Sequence, residues 1–593
     1  MSQQPQVPSQ PGPAEPRGDG LPPALPVTPP GASEATRLLC AGSYLDEAYR
    51  DAVIDELYVH EERIVAPSLG FDAARVLAHA LRARRLELGW AAGILFLWVL
   101  GAVLSSYLLL VIVSPALLLF LGTKVRGPED RPSLWRRVPA LLLRWYGRLG
   151  VLFVVLTLIV VIFGQAEGES IASIVALTLP GPLSDLVQLI APSATSVEPF
   201  HGWAASATLA LVALCVAAQR GQFARVLAGE LHRENFADMA ADPAEGADGA
   251  RLGRLRDRIR TEQHAPLVMY HSARPFCGAG EPYDSWTLAV ELRPDPDKEQ
   301  RPLGNRVILE AVRPLLAELR APAPHAGGRV RDRLRQLQID ECVFLPADGL
   351  PKREYAPYGE AAFRTHRDES VDEGGETRRH FLRIRVGGWE EEVVTTVFVR
   401  VHTQGGMLML EIAPHVLLPI RKDFENADRL AHQHRHNNLF GKAVWALART
   451  PRSFAHSLVT LGRGVAFGWR ALTGGHGAAL PDGPALSVRE LGSDGESSLF
   501  QDMDVHRYLK SIQDRVANGV RTALREAGYR TDEFAQKVVN VSGGSTLIEN
   551  AGGAVALGDN NVITNRATQP GSSGTEPGTG SSFTKPGGGP DAG

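Results

Sequence analysis

Three histidines stand at alternate positions, His432, His434 and His436, in the stretch AHQHRHNN. On a strand they would share one face and could bind a metal; on a helix they would spread around the barrel. No carboxylate or cysteine stands with them to complete a ligand set. Asp51, Glu56, His60 and Glu61 could also be arranged around an ion, but on a helical segment such residues commonly form a solvated face. The stretch HSARPFCGAGEPYDSW, residues 271–286, is glycine-bearing and follows an expected strand. Glycines there would let backbone amides approach a phosphate. It is neither a P-loop nor a dinucleotide fingerprint, so a structured loop capping a sheet is the simpler expectation. Cys40, Cys215, Cys277 and Cys342 lie far apart with no CxxC pair, which argues against a disulfide framework or a cysteine zinc site. From these residues we expect no catalytic constellation, no cofactor and no metal site.

The elements that must position these residues are of several kinds. The chain has 593 residues, too many for one small domain, and a formal net charge of −4. The charge argues neither for nor against a nucleic-acid partner, and none is expected. A mean hydropathy of −0.07 averages very apolar blocks with polar Gly/Pro-rich ones. Residues 1–33 have no apolar core behind a basic start, so they are expected as a disordered Pro-rich tail and not a signal peptide.

Residues 91–122 are apolar throughout, and Lys and Arg are absent from 86–123. That is too long for one upright helix, which needs about 20 residues, and short for two. Arg82, Arg84 and Arg85 precede the block; Lys124, Arg126, Arg131, Arg136 and Arg137 follow it. Basic flanks stay cytoplasmic, so the block is expected to form a tight helical hairpin turning near residues 105–107; one long tilted helix, with one basic flank outside, is the alternative. A second block, 149–219, again without Lys or Arg, is read as an outgoing span, a Pro-broken outer segment that hugs the membrane, and a returning span; a third buried hairpin arm is the rival for the middle segment. The spans carry almost no ionisable side chain, which favours a simple anchor over a transport path. The expected transmembrane region is thus 86–220, with about four spans.

Residues 34–85 read as cytoplasmic helices. Beyond the spans the period switches from helical to alternating, and 221–425 is expected as a cytoplasmic α+β domain. Its strands are expected near 267–270, 286–292, 341–345, 381–386, 392–402 and 408–412, with an amphipathic helix over 305–321. From 429 to 481 there is no acidic residue, while Lys442, Arg449, Arg452, Arg463 and Arg470 alternate with large apolar side chains. Basic amphipathic helices over 426–475 would suit an anionic inner leaflet; a helix pair covering the sheet is the alternative. Over 34–425 the arrangement resembles uncharacterised polytopic membrane proteins of actinobacterial type, a resemblance that implies no activity.

Residues 476–500 read as a Gly/Ser-rich linker. Residues 501–530 form an amphipathic helix whose stripe Val505, Leu509, Ile512, Val516, Val520 and Leu524 could pair in cis or between chains. Residues 537–566 are β-prone, low in charge and rich in Asn and Gly, with Asn540, Asn550 and Asn560 ten apart, a composition suited to cross-β stacking. Within them Val555-Ala556-Leu557-Gly558-Asp559-Asn560-Asn561 resembles the core of the RIP homotypic interaction motif and related amyloid signalling motifs of bacterial and fungal immune proteins. Val555, Leu557, Gly558 and Asn561 match that pattern, Asn560 extends the Asn series, and Ala556 stands where the family usually has Gln. The resemblance implies templated assembly between a receptor and an effector. Residues 567–593 are expected as a disordered tail.

The fold class expected is multi-part: an α-helical transmembrane region, a cytoplasmic α+β domain and disordered termini. The function expected is a non-enzymatic interaction or assembly protein in the plasma membrane, multi-pass, with both termini cytoplasmic. Its partners would be the lipid bilayer and either further copies of itself or a motif-bearing protein. A pore or transporter, and a membrane-bound enzyme, are the alternatives.

Overall fold

The computed structural model describes residues 28–542 apart from 69, 128–132, 166–195, 247–248, 322–332, 335, 374, 376, 388–392 and 475–478. Residues 1–27 and 567–593 of the expected tails, 166–195 of the outer segment and 543–566 of the C-terminal stretch lie outside the described residues; within the expected first tail Pro30–Ala32 form a 3-10 turn, and 537–542 are helical where a β-prone stretch is expected. One unit runs through Ala535 and a second begins at Gln536.

Two short helices, α1 (Glu34–Leu45) and α2 (Glu47–Ile54), open the fold. Asp46 stops the first and caps the second, its carboxylate accepting from the amides of Ala48 and Tyr49. The long helix α3 (Ala73–Leu104) starts at Asp72, which caps it in the same way. Its first turns are buried among α1 and α2, and its second half enters a bundle. The chain then turns sharply. Ser106 and Tyr107 take φ of +49° and +69°, left-handed values that side-chain-bearing residues adopt at a cost. A short 3-10 turn leads into α4 (Val113–Arg126), so the apolar block is the expected hairpin, bent at the expected residues. Helices α5 (Leu134–Ile162) and α6 (Pro199–Arg225) complete an up-and-down bundle. Four helical stretches, Ala73–Leu104, Leu108–Arg126, Leu134–Ile162 and Pro199–Glu230, are long and apolar enough to cross a membrane. Their outward faces carry exposed Phe96, Val103, Leu152, Leu156 and Leu214, the pattern of helices surrounded by lipid.

Helix α7 (Ala250–His264) leads into a seven-stranded sheet. Its strands are β1 (Leu267–Tyr270), β2 (Glu281–Pro282), β3 (Trp286–Glu291), β4 (Gln338–Pro346), β5 (Arg379–Gly387), β6 (Val394–Gln404) and β7 (Met407–Leu417). The order is β1-β4-β5-β6-β7-β2, with β3 also on β7; only β1–β4 is parallel. Gly405 and Gly406, both at positive φ, make the two-residue turn that joins β6 to β7. Helices α8 (Asn305–Ala317) and α9 (Glu360–Asp372) cover one face, where Arg313 pairs with Glu341 and Phe363 packs beside Val343. The other face carries Phe344, Phe381 and Phe398.

The chain then returns to the first helices through α10 (Ala427–His436) and the 35-residue α11 (Leu439–Thr473). Phe424, Ala427, Ala431 and Val488 join the core made by α1, α2, the start of α3, and Leu227, Leu231, Phe236 and Ile259. Segments remote in sequence therefore build one helical body. Ser498 and Gln501 form a capping box that starts α12 (Leu499–Glu526). Its stripe Val505, Leu509, Ile512, Val516, Val520 and Leu524 is buried, and the helix packs on α8 within the chain. Of the two pairings open to that stripe, the structure has the one in cis. A last helix, α13 (Asp532–Ser542), crosses from the first unit into the second.

Two segments differ from their sequence-based expectation. The described part of 476–500 is a strap bound to the body and not a free linker: Val488 and Arg489 are buried, and Arg489 donates to the Leu418 carbonyl. Helix α11 packs on α3, α6 and α4 of the bundle and does not cover the sheet.

Candidate functional site

The glycine loop after β1 is held as an anion-binding turn whose anion belongs to the chain. Gly278 and Gly280 sit at φ of +97° and +95°, which frees both amides to point at one acceptor. That acceptor is Glu490 Oε1, at 2.7 and 3.1 Å, while Arg274 donates to Glu490 Oε2 at 3.2 Å. A Cβ on Gly278 would lie 2.8 Å from the Pro67 carbonyl. Phe276 drops from this loop onto the sheet, with ring centroids 4.8 Å from Phe398, 5.3 Å from Phe344 and 4.6 Å from His415. The loop caps the sheet, and Glu490 fills the place of a phosphate.

The histidine trio lies on α10 and not on a strand. His432 and His436 stack at 4.0 Å, one turn apart, and His436 Nδ1 lies 3.0 Å from the His432 carbonyl. His434 stands apart, near Gly221 of α6. Asp51, Glu56, His60 and Glu61 do not converge either. Asp51 pairs with Arg84, Glu61 with Arg251 and His60 with Glu62, and Glu56 holds Arg63 and the amides of Ala485 and Leu486. The four cysteines are free, and burial pushes the Cys277 and Cys342 thiols up to about 12, which keeps them protonated and poor nucleophiles.

A polar cluster does form where α2, α3 and α11 meet at the body end of the bundle. Its centre is Glu87, the only acid on α3. Arg50 pairs with Glu87, and both side chains are buried. Arg84 donates to Asp51 at 3.0 Å and Arg463 to Glu47 at 2.7 Å. His456 Nε2 lies 3.7 Å from Glu47 and 3.9 Å from Glu87. Glu47, Glu87 and His456 each offer a donor atom within 4.8 Å of the others, a set of the kind a divalent cation accepts. Both carboxylates already hold a guanidinium, however, so three carboxylates and three guanidiniums balance within the cluster. A cation would have to displace Arg50 and Arg463. An open groove of about 980 Å³ runs beside it, lined by Asp46, Arg421, Phe424, Arg429, Gln433 and Arg463.

The five basic residues expected at a membrane surface divide into groups. Arg463 pairs with Glu47, and Arg470 Nη1 lies 3.3 Å from Asp55. Arg449 and Arg452 face the bundle's own arginines, and Lys442 lies in their neighbourhood, close enough to His434 to act on its charge. The interaction-motif residues Val555, Leu557, Gly558, Asn560 and Asn561 lie outside the described residues.

A family model described as an AbeC-like domain matches residues 285–560. The match begins at β3, takes in the rest of the sheet, α11, the strap and α12, and ends beyond the described residues. It leaves out the four long apolar helices. No curated protein and no solved structure matches the chain. Because α11 falls within the AbeC-like match yet packs on the excluded helices, the matched stretch is not a separate body from the bundle.

Sequence reasoning did not reach Glu490, which stands in a polar segment with nothing local to mark it. Nor did it join Arg144 and Arg148 to Arg449 and Arg452. The signal available was spacing: each pair is four or three residues apart on its helix, and so shares a face.

Proposed function

We propose that the chain is a multi-pass protein of the plasma membrane, with its body and both termini on the cytoplasmic side, that works as an anchored interaction and assembly protein. The observation that carries this reading is how its polar clusters are closed. The glycine amides hold Glu490, and the carboxylates between α2, α3 and α11 hold Arg50 and Arg463. These groups are paired with one another and fasten the body to the bundle and to the sheet. The bundle interior points the same way. Ile94, Trp98, Val154, Leu158, Ala205 and Val212 pack there, with no acidic or basic path through them among the described residues. The orientation rests on Arg84, Arg85, Lys124, Arg126, Arg144, Arg148, Arg220 and Arg225, all toward the helix ends that meet the body. The AbeC-like match ends at residue 560, so it takes in Val555, Leu557, Gly558 and Asn560 of the residues that resemble a homotypic motif and stops before Asn561.

The test uses the full chain in membranes, carried on two different tags. Copies are expected to co-associate, and Gly558→Pro, which removes a backbone donor and the freedom of glycine inside the motif, is expected to reduce that association at least several-fold. Association unchanged by Gly558→Pro and by removal of residues 543–593 would move the assembling surface to the body. Absence of any association would overturn the assembly reading.

A further inference from the structure

At the body end of the bundle, five arginines gather without a carboxylate. Arg144 and Arg148 come from α5, Arg220 from the end of α6, and Arg449 and Arg452 from α11. Arg452 lies within electrostatic reach of Arg144 and Arg148, and Arg449 of Arg220 and Arg452. Among the described residues none of the five makes an ion pair. The Nε donors of Arg144 and Arg452 are buried and have no hydrogen-bond partner. Trp445 lies between Arg220 and Arg449, whose guanidinium carbons sit 3.9 and 3.8 Å from its ring. Such stacking orients two of the forks. Like charges so placed repel, and buried donors without acceptors are costly, so the arrangement needs an anion rich in acceptor oxygens.

The position says which anion. Helix α11 has its polarity reversed relative to a helix in water. Ala446, Thr450, Ser453, Ser457 and Thr460 are buried against the bundle, while Leu447, Leu458, Val465, Trp469 and Leu472 are exposed. Trp98, deep in α3, donates to Ser453 at 3.0 Å. The apolar face of α11 is thus continuous with the outward faces of the spans, and the arginines lie along its inner edge. We infer that these five arginines form a site for the phosphate of an anionic phospholipid, whose acyl chains lie along the exposed apolar faces of α5 and α11. The inference rests on the reading of the four helices as membrane spans. Lipid bound there bridges α5, α6 and α11, and locks the body's longest helix onto the bundle in anionic membranes.

The experiment takes the purified full chain, delipidated in neutral detergent, and adds phosphatidylglycerol, phosphatidylcholine or inorganic phosphate. Binding is read by native mass spectrometry and by the midpoint of thermal unfolding. Phosphatidylglycerol is expected to remain bound and to raise the midpoint by several degrees, with phosphatidylcholine and millimolar phosphate giving little. Arg449→Gln with Arg452→Gln is expected to weaken phosphatidylglycerol binding at least fivefold, while Arg470→Gln does not, and Arg449→Lys with Arg452→Lys recovers part of it. Should the double Gln variant fail to fold, the lipid preference of the unsubstituted chain still decides. Equal binding of both lipids, an unchanged double variant, or inorganic phosphate binding as well as lipid would each overturn the inference. A chain soluble without detergent would instead overturn the membrane reading beneath it.

Discussion

Several charged side chains in this protein act as internal ligands, and their removal has a defined sign. Arg50 and Glu87 are both buried and face each other. Breaking such a pair leaves one charge stranded, at a cost of about 3–5 kcal/mol, whereas replacing both partners with apolar groups of similar size is often neutral. Arg50→Leu is therefore expected to lower the unfolding midpoint of the detergent-solubilised protein steeply, and Arg50→Leu with Glu87→Leu to recover most of the loss. An equally large loss in the double variant would assign the cluster a role beyond charge balance. Glu490→Ala removes the acceptor of two glycine amides and of Arg274, and a loss of about 1–3 kcal/mol is expected, read in the same assay. Asp242 sets a pH dependence. Burial raises its pKa, but His79, the Ala244 amide and Arg75 outweigh burial and hold it well below the usual carboxylate range. Its contribution is thus full above the unfolded value of about 4 and is lost as pH falls below that, toward the depressed folded value. Asp242→Asn is expected to lower stability at pH 7 and to flatten the decline of stability below about pH 4.

Among the elements, α11 departs furthest from what its composition suggests. Basic and large apolar residues over 439–473 fit a helix on a membrane surface or one over a sheet. The structure gives it a small, polar inner face that meets α3, α6 and α4, and an apolar outer face. A dye sensitive to polarity, attached at Leu472→Cys, is expected to shift to the red when the protein moves from nanodiscs of long-chain lipid into a more hydrated polymer belt. The same dye at Glu496→Cys on the strap is expected not to respond. Equal response at the two sites would remove α11 from the bilayer. Helix α12 tests close packing. Gly519 lies against Val312 of α8, where a Cβ would come within 2.7 Å of backbone. Gly519→Ala is expected to cost about 1–3 kcal/mol, because neither helix can withdraw without opening the contact between them.

For the whole molecule, the bundle and the body are not separable parts. Helix α3 belongs to both cores, and α10 and α11 return from the sheet to rejoin them. Removing residues 439–473 is therefore expected to unfold the body rather than release a soluble sheet domain, seen as loss of protease resistance in α1 and α2. Reporters at the two termini are expected on the same side of the membrane, opposite a reporter placed after Phe163, as an even number of spans requires. A terminus on the far side would overturn the orientation argued from the arginines.

Local pattern was enough for much of this protein. The apolar runs and their basic flanks determined four long helices and a hairpin, because a span must satisfy its backbone internally and keep its charges at its ends. Alternation marked the six longer strands, because side-chain direction repeats every two residues in a strand. Only the tertiary structure decided which distant groups meet. Glu490 reaches the Gly278 and Gly280 amides, Arg50 reaches Glu87, and α12 finds α8 within the same chain. The pairing of Trp445 with arginines from two helices is of the same kind. Each of these depends on where the chain returns after long excursions through the bundle and the sheet. No periodicity within a segment encodes such a return, since it is set by the burial of many faces at once.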